Sequence, residues 1–76
     1  MEHQREYSRG HYHAVEEIRK VSRGYAVRVT AYDTEPPPPA PIKFDVRVTV
    51  PTLEAAYERV ADAVAVMRQW VVHEPA

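Results

Sequence analysis

The chain has 76 residues, 45% of them hydrophobic, and ten basic residues nearly balance eleven acidic ones for a net charge of −1. A chain this short buries only about 60% of its unfolded surface, so it is expected to form one small domain that relies on close packing or self-association. The absence of cysteine excludes disulfides and thiolate metal sites, and the balanced charge gives no overall field toward nucleic acid or an anionic membrane.

Residues 1–10 show no apolar periodicity and are read as a flexible lead. Their polar start, Met1-Glu2-His3-Gln4-Arg5-Glu6-Tyr7, lacks the hydrophobic region of a signal peptide, and no apolar run reaches the ~20 residues of a membrane span. A cytoplasmic protein is therefore expected. From His11 to Arg23 a helical wheel gathers Tyr12, Ala14, Val15, Ile18 and Val21 on about half the circumference, with Gly24 placed to end the helix. The rival is a strand in a hairpin turning at Arg23-Gly24, which sets Ile18 against Val29 but Glu16 against Ala31 and Lys20 against Val27. The better apolar clustering favours the helix.

Tyr25–Asp33 alternates with period two, placing Tyr25, Val27, Val29 and Ala31 on one face and Ala26, Arg28, Thr30 and Tyr32 on the other. The tract 34–41, Thr-Glu-Pro-Pro-Pro-Pro-Ala-Pro, cannot continue that ladder because proline lacks the N–H. It predicts a stiff loop, either a wide hairpin or a departure from the strand. Its overlapping PxxP spacings, Pro36 to Pro39 and Pro38 to Pro41, also suit SH3-like grooves, though a rigid loop explains them without a partner. Ile42–Val50 is the cleanest strand, with Ile42, Phe44, Val46, Val48 and Val50 inward and Lys43, Asp45, Arg47 and Thr49 outward.

Pro51 stops that strand and Thr52 is a suitable N-cap, with Glu54 favoured in the first turn. The stripe Leu53, Ala56/Tyr57, Val60, Val64, Met67, Val71 predicts a long amphipathic helix to Val72, and 73–76 is read as a frayed tail. Ala55, Ala63, Val66 and Trp70 widen the apolar arc beyond the ~100° that a surface helix needs. Two strands cannot cover that arc, so Ala55, Ala63, Val66 and Trp70 are the expected partner interface. Pairing two copies edge to edge would turn two marginal strands into a four-stranded sheet.

Chemical motifs are sparse. His11 and His13 would share a metal only if they lay on one strand face, and no third ligand stands at a telling spacing, so no metal or other cofactor is expected. Neither Ser8 nor Ser22 sits in a nucleophile elbow, and two glycines cannot build a phosphate cradle. No catalytic residue is assigned and a non-enzymatic protein is expected. The outward sheet face, with Arg28, Thr30, Tyr32, Lys43, Arg47 and Thr49, carries basic and hydroxyl groups that could meet phosphates. An ordinary solvated antiparallel face has the same composition.

The segment Val48-Thr-Val-Pro-Thr-Leu-Glu-Ala-Ala56 resembles the strand-to-helix step of small antitoxin domains of the HicB type. Those domains continue a strand ending Val-Pro into a helix opening Thr-Leu-Glu. The likeness covers under a fifth of the chain. The glycine-rich turn of those domains is absent and the Pro36–Pro39 run has no counterpart, so no functional residue is carried over. The sequence thus predicts an α+β domain over residues 11–72, a small antiparallel sheet packed on one face by helices in the order α-β-β-α, with β-β-β-α as the alternative. The expected role is a homodimeric protein-interaction or regulatory module. A nucleic-acid-binding regulator using the outer sheet face is the second reading.

Overall fold

The computed structural model describes residues 3–72, and the side chains of residues 3–69. Four strands, β1 (His3–Arg9), β2 (Tyr12–Val21), β3 (Gly24–Asp33) and β4 (Ile42–Val50), form one antiparallel sheet in sequential order, and a single helix, α1 (Leu53–Val72), follows. The α+β class holds, but the order α-β-β-α does not, because the chain opens with strands. The alternative β-β-β-α lacks one of them. The strand β1 forms from residues assigned to a flexible lead; the expected tail, 73–76, lies outside the described residues.

The residues 12–21 extend rather than coil because of a register that the hairpin reading misplaced. The turn is Ser22-Arg23, between the paired Val21 and Gly24, so Ile18 opposes Val27, Ala14 opposes Ala31 and Glu16 opposes Val29. Shifting the register by two residues thereby converts one apolar pair into two, and a sheet face that buries Tyr12, Ala14, Glu16 and Ile18 outcompetes an isolated helix. Glu16 is the polar residue in that face, and it is only 5% exposed. The hairpin β1–β2 turns on Gly10-His11, with Gly10 at φ 60.

The proline tract is a wide hairpin loop between β3 and β4. It is held at its base by the Asp33 N–H donating to Pro41 O at 2.9 Å and by the Thr34 N–H donating to His11 O at 2.6 Å. Where the loop rejoins the sheet, the register shifts: Ala31 opposes Phe44 while Tyr32 opposes Ile42. The extra residue turns Ile42 out of the inward set, and it is 53% exposed rather than buried.

Helix α1 starts where the sequence predicts. The Ala55 N–H donates to Thr52 Oγ1 at 3.1 Å, as an N-cap requires. The helix lies chiefly over β3, and Ala56, Val60, Ala63 and Met67 meet Ala14, Ile18, Val27, Val29 and Ala31 in the core. The packed stripe is rotated toward Ala63, and Tyr57, placed in the predicted stripe, is 45% exposed. The four-stranded sheet expected from two copies is completed within one chain.

Candidate functional site

Three surfaces bring chemistry-bearing side chains together. The first is the outer sheet face. Here Arg28 folds along its own strand, donating from Nε to Thr30 Oγ1 at 3.1 Å and from Nη2 to the Tyr32 hydroxyl at 2.9 Å. Thr30 in turn donates to Asp45 Oδ1 at 2.9 Å, and Arg47 Nε stands 3.2 Å from Asp45 Oδ2. Thr30 is fully buried beneath these side chains, which removes it from the predicted contact set. The first two strands add Glu6, Ser8, His13, Glu17 and Arg19 to the same face. Arg19 Nε is 3.9 Å from Glu17 Oε1. Acids are therefore interleaved with Arg19, Arg28, Lys43 and Arg47, and the basic field expected of a nucleic-acid face is largely compensated within the sheet.

The second surface is the turn end of the sheet, where His13, on the outer face, and His11, in the β1–β2 turn, take different partners. His13 Nε2 reaches Glu6 Oε1 at 3.3 Å and its Nδ1 reaches Ser8 Oγ at 3.1 Å. A carboxylate only accepts, so in the neutral ring Nε2 carries the proton and Nδ1 accepts from the serine. His11 lies in the turn, with Nδ1 2.7 Å from Asp33 Oδ1 and 3.6 Å from Glu35 Oε2. The ligating atoms of His11, Asp33 and Glu35 all fall within 4.8 Å of one another. No metal site is expected from the sequence, which sets aside the His11–His13 pair; among the described residues this trio is the grouping that could hold a divalent cation. Its evident work is to staple the first turn to the proline loop. The His11 imidazole lowers the Asp33 carboxyl below its usual range, aided by the Glu35 N–H donating to Asp33 Oδ1 at 3.0 Å.

On the helix side, β1 contributes a polar corner that the sequence reading missed. Glu16 Oε1 lies 3.4 Å from His3 Nε2, and the His3 ring meets Tyr57 edge-on at 5.7 Å. The Tyr7 hydroxyl is buried and makes no hydrogen bond of ordinary geometry among the described residues. Burial, then the neighbouring Glu16 carboxylate, pushes the phenol up to about 12. Arg5 lies over the Tyr7 ring, 4.9 Å from its centroid. A cavity of about 30 Å³ lined by Tyr7, Arg9, Tyr12, Ala14, Met67 and Arg68 is the size of a single water. It is far below the ~300 Å³ of a ligand pocket.

The third surface is the flank where α1 overhangs β4. Phe44, Val46, Arg59, Asp62, Ala63 and Val66 line an open groove of about 250 Å³. Phe44, Val46 and Val48 are half-buried, and Val66 is 53% exposed above them. The far edge of β4 pairs with no strand among the described residues. Of the predicted interface positions, Val66 is exposed here and Ala55 is half-buried, whereas Ala63 is 7% exposed and belongs to the core. The Trp70 side chain lies outside the described residues. No family model, curated protein or solved structure matches this chain. No helix among the described residues is long and apolar enough to cross a membrane.

Proposed function

We propose that this protein is a small non-enzymatic interaction module that works as a homodimer, and that its working surface is the β4/α1 flank. One observation carries the reading: Val66, 53% exposed, overhangs half-buried Phe44 and Val46 beside an edge strand. Apolar side chains grouped beside a strand edge that pairs with no strand among the described residues are what a protein partner covers. The outer face supports the nucleic-acid reading less well, because its arginines are engaged by Thr30, Tyr32, Asp45 and Glu17.

Sedimentation equilibrium tests this directly. The wild type is expected to dimerise in the micromolar range, and Val66→Glu to shift it to monomer with an unchanged circular dichroism spectrum. A wild type that stays monomeric at high micromolar concentration overturns the reading. Salt-sensitive retention of the wild type on DNA or RNA would move the function to the outer face.

A further inference from the structure

We infer that the partner on this flank is a second copy of the same chain, joined by antiparallel pairing of β4 with β4 about a two-fold axis through Val46, to give a continuous eight-stranded sheet. The inference rests on the flank reading above and adds a register to it.

The geometry begins with parity. Residues opposite one another in an antiparallel pair share a face, so keeping both helices on one side requires registers in which paired residue numbers sum to an even value. Few such registers keep most of the nine-residue strand paired. An axis through Asp45 sets Asp45 against its own copy and Lys43 against Arg47. An axis through Arg47 sets two arginines face to face. An axis through Phe44 matches Lys43 with Asp45 but drops Val48, Thr49 and Val50 and opposes Arg47 to Pro41. With the axis through Val46, Val46 meets Val46, Phe44 meets Val48 and Asp45 meets Arg47 of the second copy. By symmetry each of the last two pairs occurs twice. Every opposed pair in this central stretch is apolar with apolar or acid with base.

Three structural features fit that register. Asp45 is already held in position, accepting from Thr30 Oγ1 at 2.9 Å and pairing with Arg47 at 3.2 Å. Pairing across the axis would place each Asp45 between its own Arg47 and that of the second copy. The bulge lies at the Ile42 end of the strand, leaving Phe44–Val50 regular. The two β4/α1 grooves would adjoin on the same side of the sheet, bringing both copies of Val66 toward the axis. The opposite edge is different in kind: β1 reads His-Gln-Arg-Glu-Tyr-Ser-Arg, with Tyr7 directed to its own core. Because the β4 contact is isologous it closes as a dimer, and only polar edges remain to face solvent.

Charge reversal at two positions tests the register. Asp45→Arg opposes arginine to arginine across the axis, and Arg47→Asp opposes aspartate to aspartate. Each is expected to weaken the homodimer by about tenfold or more. An equimolar mixture of the two variants restores complementary pairs and is expected to form a heterodimer as tight as the wild type. The double variant Asp45→Arg/Arg47→Asp is expected to recover homodimerisation. Since the chain has no cysteine, Val46→Cys provides a covalent check: oxidation should yield a disulfide-linked dimer, as only Val46 meets its own copy. Circular dichroism melts at low concentration identify any variant whose fold, rather than pairing, is affected. A dimer that Val66→Glu breaks, but that neither charge reversal weakens and Val46→Cys does not lock, overturns the register while leaving the flank as the interface. A monomeric wild type overturns both.

Discussion

Gly24 opens β3 at φ 136, a region nearly closed to residues with a Cβ. A Cβ there would overlap the Val50 carbonyl oxygen and stand 3.0 Å from Pro51 Cα. Both obstacles are backbone at the junction of β4 and α1, so no side-chain rotation relieves them. Gly24→Ala is therefore expected to combine about 1–3 kcal/mol of backbone strain with loss of the Tyr25–Val50 end of the ladder, worth about 1 kcal/mol per hydrogen bond. The sum is about 3 kcal/mol. At about 0.05–0.15 kcal/mol per residue, total stability is roughly 4–11 kcal/mol, so the substitution removes a large share of it. Gly10 supplies the control: its φ is 60 and nothing lies within 4 Å of its absent Cβ, so Gly10→Ala should cost only about 1 kcal/mol. Urea unfolding followed by circular dichroism measures both. With a slope of about 1 kcal/mol per molar urea, the two midpoints should differ by about 2 M. Equal shifts, or a Gly24→Ala midpoint within about 0.5 M of the wild type, would refute the close-approach argument.

Two further outcomes follow from the shifted groups. The folded Tyr7 phenol is raised from 10.0 to about 12, so the unfolded chain loses that proton first as pH rises. Stability should fall between pH 10 and 12, and Tyr7→Phe, which removes the buried hydroxyl beside the Glu16 carboxylate, should flatten that decline. Denaturation midpoints across that range measure it, and an unchanged alkaline slope in Tyr7→Phe would count against the assignment. Asp33 is shifted the other way, below 3.8, first by His11. Its contribution should be present above about pH 4 and vanish as pH falls through the lowered folded value. Asp33→Asn should therefore be less stable than the wild type at neutral pH, with the gap closing in acid. A gap that persists undiminished at low pH would exclude the ionic contribution.

The unit from Ile42 to Val72 was legible because its determinants are local. Period-two alternation, the Pro51 stop, the Thr52 cap and a 3.6-residue stripe each act within a few residues. The Tyr25–Asp33 strand was legible for the same reason. Three features were not. The strand β2 puts Glu16 among its inward residues, so its alternation is broken at the point where a helical wheel looks better; only the pairing with Val29 and the approach of His3 and Tyr7 give that carboxylate a place. The edge strand β1 has almost no apolar signature, since its pairing with β2 uses backbone groups that every residue carries. The face assignments of Ile42, Ala63 and Thr30 depended on a bulge, on the helix rotation over β3 and on Arg28 lying across its own strand.

By itself the sequence determined the β4–α1 unit, the half-buried character of β3 and the charge pattern Lys43, Asp45, Arg47 along one strand. Tertiary structure decided that this strand is an edge, that Val66 overhangs it, and that the outer arginines are engaged within the sheet. The physical reason is that a strand's residues name its two faces through side-chain alternation. Whether its edges are covered depends on backbone hydrogen bonds to other segments, which side-chain periodicity does not encode.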